Sequence, residues 1–114
     1  MSFAGLDEFW PFYVSQHLKP WTRRLHFAGT TLGLAALAAA CGRRDPWLLP
    51  CALFVSYGSA WIGHFFIERN APATFQYPVL SFRADFRMYR LMWLGRMESE
   101  IGRLQSQIRR YRPA

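Results

Sequence analysis

Acidic residues are few in this sequence: seven Asp and Glu stand against 14 Lys and Arg in 114 residues, a formal charge of +7. Charge of either sign makes up only 18% of the chain. A soluble surface usually carries more, so an ordinary soluble domain fits poorly. Cysteine is scarcer still. Cys41 and Cys51 are the only two, which excludes a disulfide scaffold. Apolar residues reach 52%, which excludes intrinsic disorder. The length allows one domain, 1–114.

The missing charge is concentrated in two places. From Leu25 to Gly42 the only ionisable side chains are His26 and the Cys41 thiol, and from Pro46 to Ile67 only His64, Tyr57 and Cys51. Each stretch is about the 17–25 residues that a helix needs to cross the hydrocarbon of a bilayer. Gly42-Arg43-Arg44-Asp45-Pro46 separates them as a polar turn. The pattern predicts an all-α integral membrane protein, a helical hairpin with spans at about 21–41 and 47–69. A soluble bundle with two very apolar helices is the alternative, but both stretches lack the polar face that such helices keep. Asp7, Glu8, Lys19, Arg23 and Arg24 replace the basic start and apolar run of a cleavable signal, so the first span is expected to insert itself.

The flanks are amphipathic. Residues 3–16, rich in aromatics, read as a short helix at the membrane surface. Residues 70–81, with Pro72 and Pro78, read as an ordered extended loop. From 82 to 111, Phe82, Phe86, Tyr89, Trp93, Met97, Ile101, Leu104 and Ile108 recur at steps of three and four among arginines. This predicts an amphipathic interfacial helix facing anionic lipid, its last part spaced like a heptad. That part, and the Gly29/Gly33 pair in the first span, are the two grounds for a homodimer; the second span is the other candidate partner for the glycines. Lys19, Arg23, Arg24, Arg69 and the C-terminal arginines lie on one side of such a hairpin, which predicts cytoplasmic termini. A nucleic-acid face is the competing account of the positive charge. It leaves the uncharged stretches unexplained, so no nucleic-acid partner is expected.

The three histidines carry the chemistry. His26 precedes the Arg43-Arg44 turn by about 17 residues and His64 follows it by about 20, drops of roughly 26 and 30 Å at about 1.5 Å per residue. In an antiparallel pair both reach one level, and a bend at Pro20 returns His17 to it. Three neutral imidazoles that converge suit a divalent transition metal. Glu68, four residues after His64, and Asp85 are candidate carboxylates for a site of the non-haem iron(II) type. Each residue also has a plain role: the histidines bonding between helices, Glu68 pairing with Arg24 or Arg69, Asp85 pairing with Arg83 or Arg87 or capping a helix. Cys41 and Cys51 fall near the far turn and read as buried apolar residues rather than ligands.

At these residues the chain resembles a known family. His17-Leu18-Lys19-Pro20-Trp21-Thr22-Arg23-Arg24-Leu25-His26 looks like the first motif of the Mpo-like proteins, and Trp61-Ile62-Gly63-His64-Phe65-Phe66-Ile67-Glu68-Arg69-Asn70-Ala71-Pro72 like the second. The continuation through Tyr77-Pro78, Ser81 and Asp85 is similar to the short bacterial members. The family's characterised fungal member is an iron(II)-dependent 2-hydroxy-fatty-acid dioxygenase. The resemblance implies Fe(II) as cofactor, His17, His26 and His64 as its ligands, and a 2-hydroxy fatty acid and dioxygen as substrates. It implies a bacterial inner membrane as the location. Arg24 and Arg69 are then candidates to meet the substrate carboxylate, or to serve as lipid anchors. The alternatives are a non-catalytic lipid-binding or scaffold protein with structural histidines, and a zinc-dependent lipid hydrolase.

Overall fold

The apolar stretches become the two longest helices. In a computed structural model that describes residues 3–111, all regular structure is helical. Helix α1 is Leu6–Ser15, α2 is Pro20–Arg43, and α3 is Leu48–Ile62, which continues as a π-helical turn over Gly63–Glu68. After a 3-10 turn at Ala73–Phe75 come α4 (Pro78–Trp93), α5 (Met97–Arg103) and α6 (Gln105–Ile108).

The chain forms two units, one of residues 19–69 and one of the residues up to 18 with those from 70 onward. In the first, Pro20 opens α2 at a position where its missing N–H costs nothing. Arg44, in the left-handed region at φ 51°, ends it. Asp45 Oδ1 accepts the Trp47 amide at 3.1 Å and turns the chain into α3. The two helices run antiparallel with small residues between them. A Cβ at Gly29 would lie 2.8 Å from Ser59 Cβ, and one at Gly33 2.9 Å from Ser56 Oγ. The Gly29/Gly33 face is thus taken by α3 of the same chain and leaves no ground there for a homodimer. Both helices are long and apolar enough to cross a membrane, and most of their surface is uncovered: Leu53, Phe54 and Phe66 are 61%, 81% and 75% exposed. Cys41 and Cys51 are free and exposed, not buried as expected, because neither faces the partner helix.

In the second unit α1 packs against α4 and α6. Phe9, Trp10, Tyr13 and Val14 are fully covered, so the aromatics expected at a membrane surface form a protein core instead. Phe9, Phe12 and Tyr77 surround Phe3 with ring centroids 5.2–5.4 Å away. α4 starts at Pro78, inside the stretch expected to be extended, because proline is pre-set for the first helical turn. It buries Ser81, Ala84 and Met88, the narrow side that permits close approach to α1, and leaves Phe82, Phe86 and Trp93 exposed. The helix expected over 82–111 is in three pieces. Gly95 breaks it at φ 67°, and a second interruption follows at Leu104. Met97, Leu104 and Ile108, the heptad-like positions, are buried in this unit's own core rather than offered to a second copy.

Candidate functional site

The histidine ring nitrogens are oriented by the backbone. His17 follows α1, and His26 lies nearly two turns into α2. Each is four residues after a carbonyl that it meets: His17 Nδ1–H donates to Tyr13 O at 2.7 Å, and His26 Nδ1–H to Thr22 O at 3.0 Å. A carbonyl only accepts, so each neutral ring carries its proton on Nδ1 and presents a bare Nε2. His64 sits in the π turn, with its ring centroid 5.1 Å from that of His26 and the planes at 83°. A π turn inside a helix is a frequent mark of a functional site. One nitrogen from each of His17, His26 and His64 lies within 4.8 Å of the others, and all three side chains are buried. Three buried nitrogen donors this close, two of them with the second ring nitrogen already bonded, fit a divalent metal.

The Lys19 amide, two residues after His17, donates to Glu68 Oε1 at 2.6 Å and Lys19 Nζ to the Ile67 carbonyl at 3.0 Å. Both partners belong to the π turn that carries His64. Glu68 is buried, as a ligand would be, but it stands outside the clustered three and receives the amide of the residue that opens α2. Its negative charge at that helix start is favourable.

Arg24 is exposed and stacks over the Trp21 ring at 5.0 Å; Arg69, in the left-handed region at φ 60°, is exposed too. Arg23, which the sequence offered only as one of several basic residues, is 3% exposed. Asp85 pairs with neither Arg83 nor Arg87: its Oδ1 accepts the Tyr13 hydroxyl proton, while Arg87 reaches Asp7 at 3.0 Å. Tyr13 stands four residues before His17 and could have been found by that spacing. Nothing local links it to Asp85, 72 residues away.

Burial pushes the Asp85 carboxyl from its ordinary 3.8 up to about 7, with the Tyr13 hydrogen bond pulling the other way. Burial, then the Asp85 charge, raises the Tyr13 hydroxyl well above its usual range, so Tyr13 stays the donor. The folded protein therefore holds the Asp85 proton more tightly than the unfolded chain does. This group's stabilisation is complete below about pH 4 and is lost as the pH rises through about 7. Asp85→Asn has no such dependence. Its melting temperature relative to the parent is expected to rise between about pH 5 and about pH 8; a difference that stays flat across that window refutes the assignment.

No curated protein and no solved structure matches the chain. A family model described as 2-hydroxy-palmitic acid dioxygenase Mpo1-like matches residues 3–97, from the start of the aromatic core through the histidines to the end of α4 and the turn beyond it. With most of its length and all three histidines inside that match, the chain belongs to the Mpo1-like family.

Proposed function

We propose that the protein is an iron(II)-dependent dioxygenase that shortens 2-hydroxy fatty acids by one carbon at a membrane surface. The observation that carries this is the buried histidine cluster in a chain of this family. His17, His26 and His64 are the metal ligands. Glu68 holds the start of α2 rather than the metal. Iron held there supplies dioxygen activation, for which the three nitrogens leave coordination positions open.

The protein is a single membrane domain, a two-span hairpin in the bacterial inner membrane with both termini cytoplasmic. α2, of 24 residues, and Leu48–Glu68, of 21, measure about 36 and about 32 Å at about 1.5 Å per residue, against roughly 30 Å of hydrocarbon. Only 22% and 11% of their apolar windows are buried, whereas the core helix of a soluble protein is mostly covered. The amphipathic helix α4 lies in the interface, with Phe82, Phe86 and Trp93 toward lipid. The acyl chain stays beside Ile62, Phe65 and Phe66, which are exposed around the π turn. Arg24 and Arg69, exposed at the same end of the helix pair, meet the substrate carboxylate or lipid phosphates.

With one dioxygen, RCH(OH)COOH balances as RCOOH, CO₂ and H₂O. The test is anaerobic reconstitution with Fe(II), then addition of 2-hydroxypalmitate labelled at carbon 1 under oxygen. One dioxygen consumed per labelled CO₂ and per shortened acid is the expected result. A zinc-loaded protein that cleaves lipid esters without oxygen makes it a hydrolase, an outcome that an all-nitrogen donor set also accommodates. Neither turnover leaves the lipid-binding alternative.

A further inference from the structure

His17 is the end of a stack. Its ring lies on Tyr13 at 4.1 Å between centroids and 21° between planes, and Tyr13 lies on Trp10 at 5.5 Å and 14°. Tyr13 holds His17 twice, through this stack and through its carbonyl on Nδ1–H. Both outer rings are tied to the C-terminal helices. The Tyr13 hydroxyl donates to Asp85 of α4, and Trp10 Nε1–H donates to Glu100 of α5 at 3.0 Å. All of these residues except Glu100 and Asp85 are buried, Tyr13 and His17 to 1% exposure, so the column has little room to reorient. Tyr13 cannot swing out of the stack without breaking its bond to Asp85, and His17 would then lose the ring it lies on.

We propose that Tyr13 and Asp85 are positioning residues for His17: the hydroxyl–carboxylate bond fixes the tyrosine ring and thereby the direction of the imidazole nitrogen offered to a metal. The proposal rests on the assignment of His17 as a ligand. Ligand orientation by outer partners is a general requirement of histidine metal sites, and its loss typically weakens metal binding by about 10–100-fold. α4 and α5 thus bear on His17, which lies outside both helices.

The test is Co(II) titration of the full chain in detergent at about pH 8, read by visible absorption and by affinity. Cobalt reports ligand geometry independently of turnover. His17→Ala should abolish the parent's signal. Tyr13→Phe keeps the ring but loses the hydroxyl, and Asp85→Ala loses the acceptor. Each should bind Co(II) about 10-fold more weakly with a changed spectrum, and the double variant no more weakly than either. Asp85→Asn, which still accepts the tyrosine hydrogen, should restore most of the affinity. Parental affinity and spectrum in Tyr13→Phe and Asp85→Ala overturn the proposal while leaving the metal site intact. Failure of Asp85→Asn to rescue overturns it as well, since general packing then explains the loss. A parent that binds no Co(II) overturns both this proposal and the ligand assignment. If Asp85→Ala does not fold, Tyr13→Phe, in which every ring contact remains, decides by itself.

Discussion

His64→Ala is expected to reduce bound metal from near one ion per chain to near none. The histidine nitrogens lie within 4.8 Å of each other, and no carboxylate joins their cluster among the described residues. Glu68, the nearest substitute along the chain, already accepts the Lys19 amide at 2.6 Å. Removal of one of three protein donors therefore leaves two, with water to complete the site. The cost in affinity should exceed the about 10–100-fold typical of losing a mere outer partner. The side chain is buried, so some stability is lost too, on the order of 1–3 kcal/mol. Elemental analysis of untagged protein, purified in mild detergent and reconstituted anaerobically with Fe(II), reads the result. Cys51→Ala, exposed near the opposite end of α3, is the control that should keep its metal. Equal iron in the parent and in His64→Ala would remove the basis for a metal-dependent function.

Gly29→Leu should be the most disruptive change away from the histidines. Even the first atom of a side chain there would sit 2.8 Å from Ser59 Cβ and 3.0 Å from the Ser56 carbonyl oxygen. The second contact is with helix backbone, which cannot rotate aside, so α2 and α3 must separate. Overpacking of this kind costs typically about 1–3 kcal/mol. α2 carries His26, and His64 follows directly from α3, so the same displacement should weaken metal binding as well. Gly58→Ala provides the contrast, since a Cβ at Gly58 meets nothing within 4 Å. It removes a flexible residue from a helix and should be neutral or stabilising by up to about 1 kcal/mol. Thermal melting in detergent orders the two variants. A Gly29→Leu protein that melts with the parent would mean that the helices do not pair as described.

Much of this protein is decided by local pattern. Two long stretches without Asp, Glu, Lys or Arg, separated by the turn at Arg43-Arg44-Asp45, specify two helices joined by a turn, because charge and helix breakers act where they stand in the chain. The helical rise then brings His26 and His64 to one level with no further information. The family motifs around His17, His26 and His64 are legible for the same reason: they are contiguous. The tertiary structure alone decided which faces are spent. Gly29 and Gly33 suit a second copy or a second span equally well, and only the fit to Ser56 and Ser59 chose the span. Phe9, Trp10 and Tyr13 are amphipathic enough for a membrane surface, yet α4 and α6 cover α1. The π turn at Gly63–Glu68 and the bond from Tyr13 to Asp85 lay beyond sequence reading as well. The first is a small shift of hydrogen-bond register, and the second joins residues 72 positions apart. Periodicity records which side of a helix is apolar but not what covers it; that is settled when the whole chain packs and its polar groups find partners.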